Sequence, residues 1–170
     1  MLENWLALGG NPTHESVAVL AIRLGVAALL GALIGFEREA KQQAAGLRTH
    51  MLIAVAAAAF TVMTFEIYHE MIDLGGTTMA RLDPLRVIEA VTAGVAFLAA
   101  GAIFRSRAGD VKGLTTGAGM WAAGAIGVAS GAGFFSIAVM ATVFVLAITL
   151  LLRPLEKRLF GDDDKPDDKA

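Results

Sequence analysis

Five stretches of this chain, each close to the length of one membrane crossing, are almost free of charged side chains, and this pattern excludes most folds. A bilayer core ~30 Å thick takes about twenty residues of helix to cross, and somewhat fewer where helix ends are lined by protein. The stretches run roughly Val17–Phe36, Met51–Ile67, Val87–Phe104, Leu114–Ser130 and Phe134–Leu152. Charged residues make up 18% of the 170, against about a quarter in a soluble domain. Hydrophobic residues make up 56%, and mean hydropathy is +0.63. One soluble core cannot hide that much apolar surface. The expected class is all-α, a polytopic membrane protein with a bundle of five transmembrane helices.

Orientation follows from Lys and Arg counts in alternate loops. Residues 37–50, 105–113 and 153–170 hold Arg38, Lys41, Arg48, Arg105, Arg107, Lys112, Arg153, Lys157, Arg158, Lys165 and Lys169, eleven in all. The opposite loops hold only Arg81 and Arg86. The N-terminus is therefore expected outside and the C-terminus in the cytoplasm. Residues 1–16 read as an extracytoplasmic segment without the basic start of a cleaved signal, so the first span is expected to be retained. Residues 17–152 read as the transmembrane domain. Residues 153–170 read as a cytoplasmic tail, acidic through Asp162, Asp163, Asp164, Asp167 and Asp168, and expected to be disordered.

Helices in lipid associate by close approach, which small residues permit. Gly31 and Gly35 form such a pair in span one. Ala90 and Gly94, then Phe97 and Gly101, share a stripe in span three. Gly119, Ala123, Gly127 and Gly131 make a four-layer stripe in span four, which places that span at the centre with Trp121 on another face. Span five, rich in Val, Ile, Leu and Phe, is expected to face the most lipid. Packing within one chain is the first reading of these stripes, and a homodimer seam is the second. A weak repeat at an offset of 67 residues matches Gly46-Leu47-Arg48-Thr49 with Gly113-Leu114-Thr115-Thr116, and Arg38 with Arg105. It suggests two parallel hairpins with span five added.

Ionisable residues at membrane depth are costly and usually turn inward in pairs. Arg23 lies ~10 Å into span one at 1.5 Å per residue. Glu66 ends span two, and Glu89 lies just inside span three. Arg23 can pair with Glu66 or Glu89 and line an outer polar vestibule, or it can snorkel to the surface while the carboxylates mark helix ends. Asp83-Pro84 suits the start of a helix. Glu37, Arg38, Glu39, Arg48, Asp110 and Lys112 suggest an interlocked loop network at the cytoplasmic mouths. His14, His50 and His69 have no metal-ligand spacing, and cysteine is absent. No nucleophile, base and orienter stand at readable spacing, so neither an enzyme nor a bound cofactor or metal is expected. Nothing in the charge pattern calls for a nucleic acid.

Several motifs occur together in order. They are Gly35-Phe36-Glu37-Arg38-Glu39, Ala45-Gly46-Leu47-Arg48-Thr49-His50-Met51-Leu52 and Asp83-Pro84-x-Arg86. They continue with Phe97-Leu98-x-Ala100-Gly101-Ala102-Ile103, Gly113-Leu114-Thr115-Thr116, Trp121-Ala122 and Ala125-Ile126-Gly127. From about Arg23 to the end of span five the chain resembles the bacterial MgtC/SapB family. The resemblance implies a multi-pass inner-membrane protein linked to growth under magnesium limitation and, in pathogens, to survival inside macrophages. It further implies either a magnesium transporter or, the view the family better supports, a regulator acting on other membrane machinery, including the proton-translocating ATP synthase. Many members carry a soluble C-terminal domain, which these 170 residues do not include. The family usually has Gln where this chain has Ala90, Gly where it has Ala96 and Ala99, and a small residue where it has Glu89, which suggests a divergent branch.

Two functions are therefore expected to compete. The first is a regulator or scaffold that binds another membrane protein through its small-residue faces. The second is a channel or transporter for a cation or small solute, with Arg23, Glu66 and Glu89 in an outer vestibule and the Gly-Leu-x-Thr helix starts closing the inner end.

Overall fold

The computed structural model describes residues 13–73, 85–105 and 111–152. These residues form five helices: α1 Val17–Ala40, α2 Leu47–Asp73, α3 Leu85–Ala102, α4 Leu114–Gly131 and α5 Phe135–Ala147. A π-helical turn, Ile148–Leu152, continues α5. The fold is all-α apart from two two-residue strands, β1 Phe104–Arg105 and β2 Val111–Lys112, which pair antiparallel between α3 and α4.

Local chemistry sets the helix ends. The Ser16 hydroxyl accepts the Val19 N–H at 3.3 Å and caps α1. The repeated Gly-Leu pairs both start helices, α2 at Leu47 and α4 at Leu114. Gly113 stands at φ +91° before α4, and a Cβ there would collide with the Ala102 carbonyl.

α1, α2, α3 and the stretch Phe135–Leu152 are long and apolar enough to cross a membrane. α4 has 18 residues but falls short of them in hydropathy, because Gly, Ala, Ser and Thr dominate it. It instead sits at the centre, touching each of the other four helices. Trp121 is exposed on its outer side, as its offset from the glycine stripe implies.

α1, α2 and α4 meet at backbone contact. A Cβ on Gly31 would stand 2.8 Å from the His50 carbonyl oxygen and 2.9 Å from the Ala54 Cβ; one on Gly35 would stand 2.7 Å from the Leu47 Cα. Gly127 and Gly131 of α4 press equally against Ala54 and Ala58. Ala27, Ala54 and Ala58 are fully buried between these helices.

The small-residue expectation fails in α3. Gly94 and Gly101 have nothing within 4 Å of an added Cβ, so they pack against no neighbour among the described residues. α3 leans on α4 instead through Val95 against Gly124 and Ala99 against Gly117. Only Val95 and Ala99 of α3 are buried, and α5 is equally sparse with Ala138 and Thr142.

Candidate functional site: two charged clusters at opposite ends of the bundle

Two groups of charged side chains face the bundle, one at each end. At the first, α1 does not stop where hydropathy falls. It runs to Ala40, so Glu37, Arg38 and Glu39 lie on its last turn and not in a loop. Glu37 and Arg38 are buried, with the Arg38 Nε 2.6 Å from a Glu37 carboxylate oxygen. The Lys41 ammonium meets the other Glu37 oxygen and donates to the Thr149 carbonyl at 2.8 Å. Glu39 accepts the Leu47 N–H at 2.9 Å, satisfying one free donor at the start of α2.

His50 is fully buried beneath this cluster. Its Nδ1 lies 2.9 Å from the Gly46 carbonyl and therefore donates to it. This leaves Nε2 as an acceptor without a partner among the described residues, facing Gly119. Thr116, also buried, donates to the Gln43 side-chain oxygen at 3.3 Å and ties the α1–α2 connection to α4. Thr115, Arg48 and Lys112 are exposed and stand outside the network, while Asp110 lies outside the described residues.

At the other end Arg23 is largely buried, with its side chain 16% exposed, but its partner is neither Glu66 nor Glu89. Its guanidinium pairs with Glu15 at 3.1 Å and donates to the Gly131 carbonyl at 3.3 Å, at the end of α4. A cation on the last carbonyls of a helix is favourable. Glu66 accepts the backbone N–H groups of His14 at 2.5 Å and Glu15 at 3.2 Å, so it pins the segment before α1 to α2. The imidazoles of His14 and His69 stack with ring centres 4.2 Å apart. Sequence spacing missed this pairing, because 55 residues separate the two. Glu89 is exposed on α3 and forms no ion pair among the described residues; Arg86 is also exposed, and Asp83 lies outside the described residues. No group of three or more His, Asp or Glu among the described residues is placed to hold a metal ion.

The arrangement can lock helices together at both ends. It matches a known family along most of its length, with the MgtC family model aligning to residues 24–158. The chain belongs to the MgtC family. Among curated members, Protein MgtC of Brucella abortus is 42% identical over 141 residues, 83% of this chain and 54% of that protein. Protein MgtC of Salmonella typhimurium is 38% identical over 138 residues, 81% and 54% of the two chains. Protein SapB of Bacillus subtilis is 36% identical over 145 residues, 85% and 60%. The chain thus spans a little over half the length of these family members. No solved structure matches it. Family membership and four apolar helices of spanning length make it a membrane protein.

Proposed function

We propose that the chain is a multi-pass inner-membrane protein of five crossings, N-terminus outside and C-terminus cytoplasmic, acting as a non-enzymatic regulator or scaffold of another membrane protein. The link to magnesium limitation implied by the family resemblance belongs to this reading. α4 is the crossing of lowest hydropathy, carried inside the bundle by its neighbours.

The closed α1–α2–α4 core is the observation that carries the reading. Glycines there meet the facing backbone, and Arg23, Glu37, Arg38 and Lys41 are engaged with internal partners at the two ends. A solute path needs a polar line through the bundle. The packing favours a solid body that presents surfaces to other proteins. The free surface of small residues is the outer face of α3, where Glu89, Ala93, Ala96 and Ala100 are all exposed at helical spacing. A partner helix carrying a cation at the depth of Glu89 fits this face, and a second copy of the chain is the competing occupant.

Two measurements test the reading. Photo-crosslinking from position 93 or 96 in cells should capture a membrane protein other than a second copy. Purified protein in liposomes loaded with a magnesium-sensitive dye should give no influx, with or without a membrane potential. Cation flux abolished by Glu89→Gln would instead establish a transporter.

A further inference from the structure

α2 and α3 touch sparsely along their length, and the space between them is an open groove of about 960 Å³. Leu52, Phe60 and Ile67 line it from α2, and Gly94 and Leu98 from α3. Arg86 is the charged residue among the lining, and it stands at one end. The Thr64 hydroxyl in the wall donates to the Phe60 carbonyl at 2.9 Å, so it offers the groove no free donor.

The groove has the length and charge pattern of a lipid site. Arg86 and Leu98 are twelve residues apart on α3, about 18 Å at the helical rise, a little more than half the ~30 Å hydrocarbon core. One acyl chain from one leaflet covers that distance and ends in a phosphate at the depth of Arg86. Arg86 forms no ion pair among the described residues. Glu89, the acid nearest to it on the helix, is absent from the groove lining. A helix is a poorer fit, because close helix approach in lipid is favoured by small residues, and the α2 wall carries Phe60, Met63 and Ile67. Gly94, which no neighbour fills, is the place where the α3 wall lets a chain lie close.

We propose that this groove binds one acyl chain of an anionic phospholipid, with the lipid phosphate held by Arg86. The site depends on the membrane state of the chain and not on the partner reading above. Both kinds of headgroup offer the phosphate, but a zwitterion's own ammonium offsets it, so one arginine favours the anionic headgroup about fivefold.

The test uses the full chain in detergent, supplied with equal phosphatidylglycerol and phosphatidylethanolamine and observed by native mass spectrometry. Wild type should retain one phosphatidylglycerol, about fivefold more than phosphatidylethanolamine. Arg86→Gln should bring the two to parity, and Arg86→Lys should keep the preference. Gly94→Leu, whose side chain enters open space, should remove both lipids without lowering the thermal unfolding temperature. Equal retention of the two lipids by wild type overturns the proposal. So does phosphatidylglycerol bound undiminished to Gly94→Leu, or a dimer mass that this substitution dissociates, which would give the groove to a second copy.

Discussion

Replacing Gly127 by alanine tests the claim that α2 and α4 meet at backbone contact. The new methyl would lie 2.8 Å from the Ala57 Cβ, 2.9 Å from the Ala54 carbonyl carbon, and closer still to the Ala54 carbonyl oxygen. Ordinary contact begins near 3.4 Å, so the helices must part by more than about half an ångström. Ala54 is fully buried, and its backbone has no rotamer by which to yield. Overpacking of this kind costs about 1–3 kcal/mol. The better helix propensity of alanine returns up to about 1 kcal/mol. With that return in full, the net expectation is a loss of about 0–2 kcal/mol. Gly94→Ala meets nothing within 4 Å and should gain up to about 1 kcal/mol by the same propensity difference. Unfolding by dodecyl sulfate in mixed micelles, followed by far-ultraviolet circular dichroism, compares the two variants directly. Equal stability of Gly127→Ala and Gly94→Ala would refute the reasoning.

Other substitutions probe the two ends. Glu39→Ala should remove the acceptor for the Leu47 N–H and cost about 0.5–2 kcal/mol, read as faster amide exchange in the first turn of α2. Glu37→Gln should leave Arg38 buried without a counter-ion among the described residues, at about 3–5 kcal/mol, and the double change with Arg38→Gln should recover part of it in the same titration. Arg23→Gln should cost about 1–2 kcal/mol, a figure reduced by the partial exposure of Glu15. Protease should then cut residues 13–16 faster than in wild type, and an unchanged cutting rate would count against the clamp.

The glycine stripe of α4 and the Gly31–Gly35 pair were legible because close approach in lipid requires small side chains at fixed helical spacing. The same pattern misled in α3, since spacing reports that a surface is small and not whether a neighbour comes to it. Gly94 and Gly101 are small, and no neighbour among the described residues comes within 4 Å of an added Cβ there. The partner of Arg23 was missed for a different reason. Glu15 precedes the first span, and only the fold of residues 13–16 across the end of α2 brings its carboxylate back to the guanidinium. Glu37 to Glu39 read as loop because hydropathy drops there, yet backbone hydrogen bonding continues wherever the charges find internal partners. His50 showed its position at the start of a helix but not its burial, which follows from Gly31 and Gly119 leaving room around it.

The π-helical turn at Ile148–Leu152 has a mechanical consequence. A turn of this type closes i→i+5 bonds and is most often a local insertion in a helix. Here it presents the Thr149 carbonyl to Lys41, whose ammonium also neutralises Glu37. The last described turn of the bundle is thereby tethered to the last turn of the first helix. A pull or twist on the backbone at Leu152 can therefore reach the Glu37–Arg38 pair through Lys41 as well as through the α1–α5 packing. The C-terminal turn of the described bundle is thus joined to the end of the first helix by a polar contact as well as by packing.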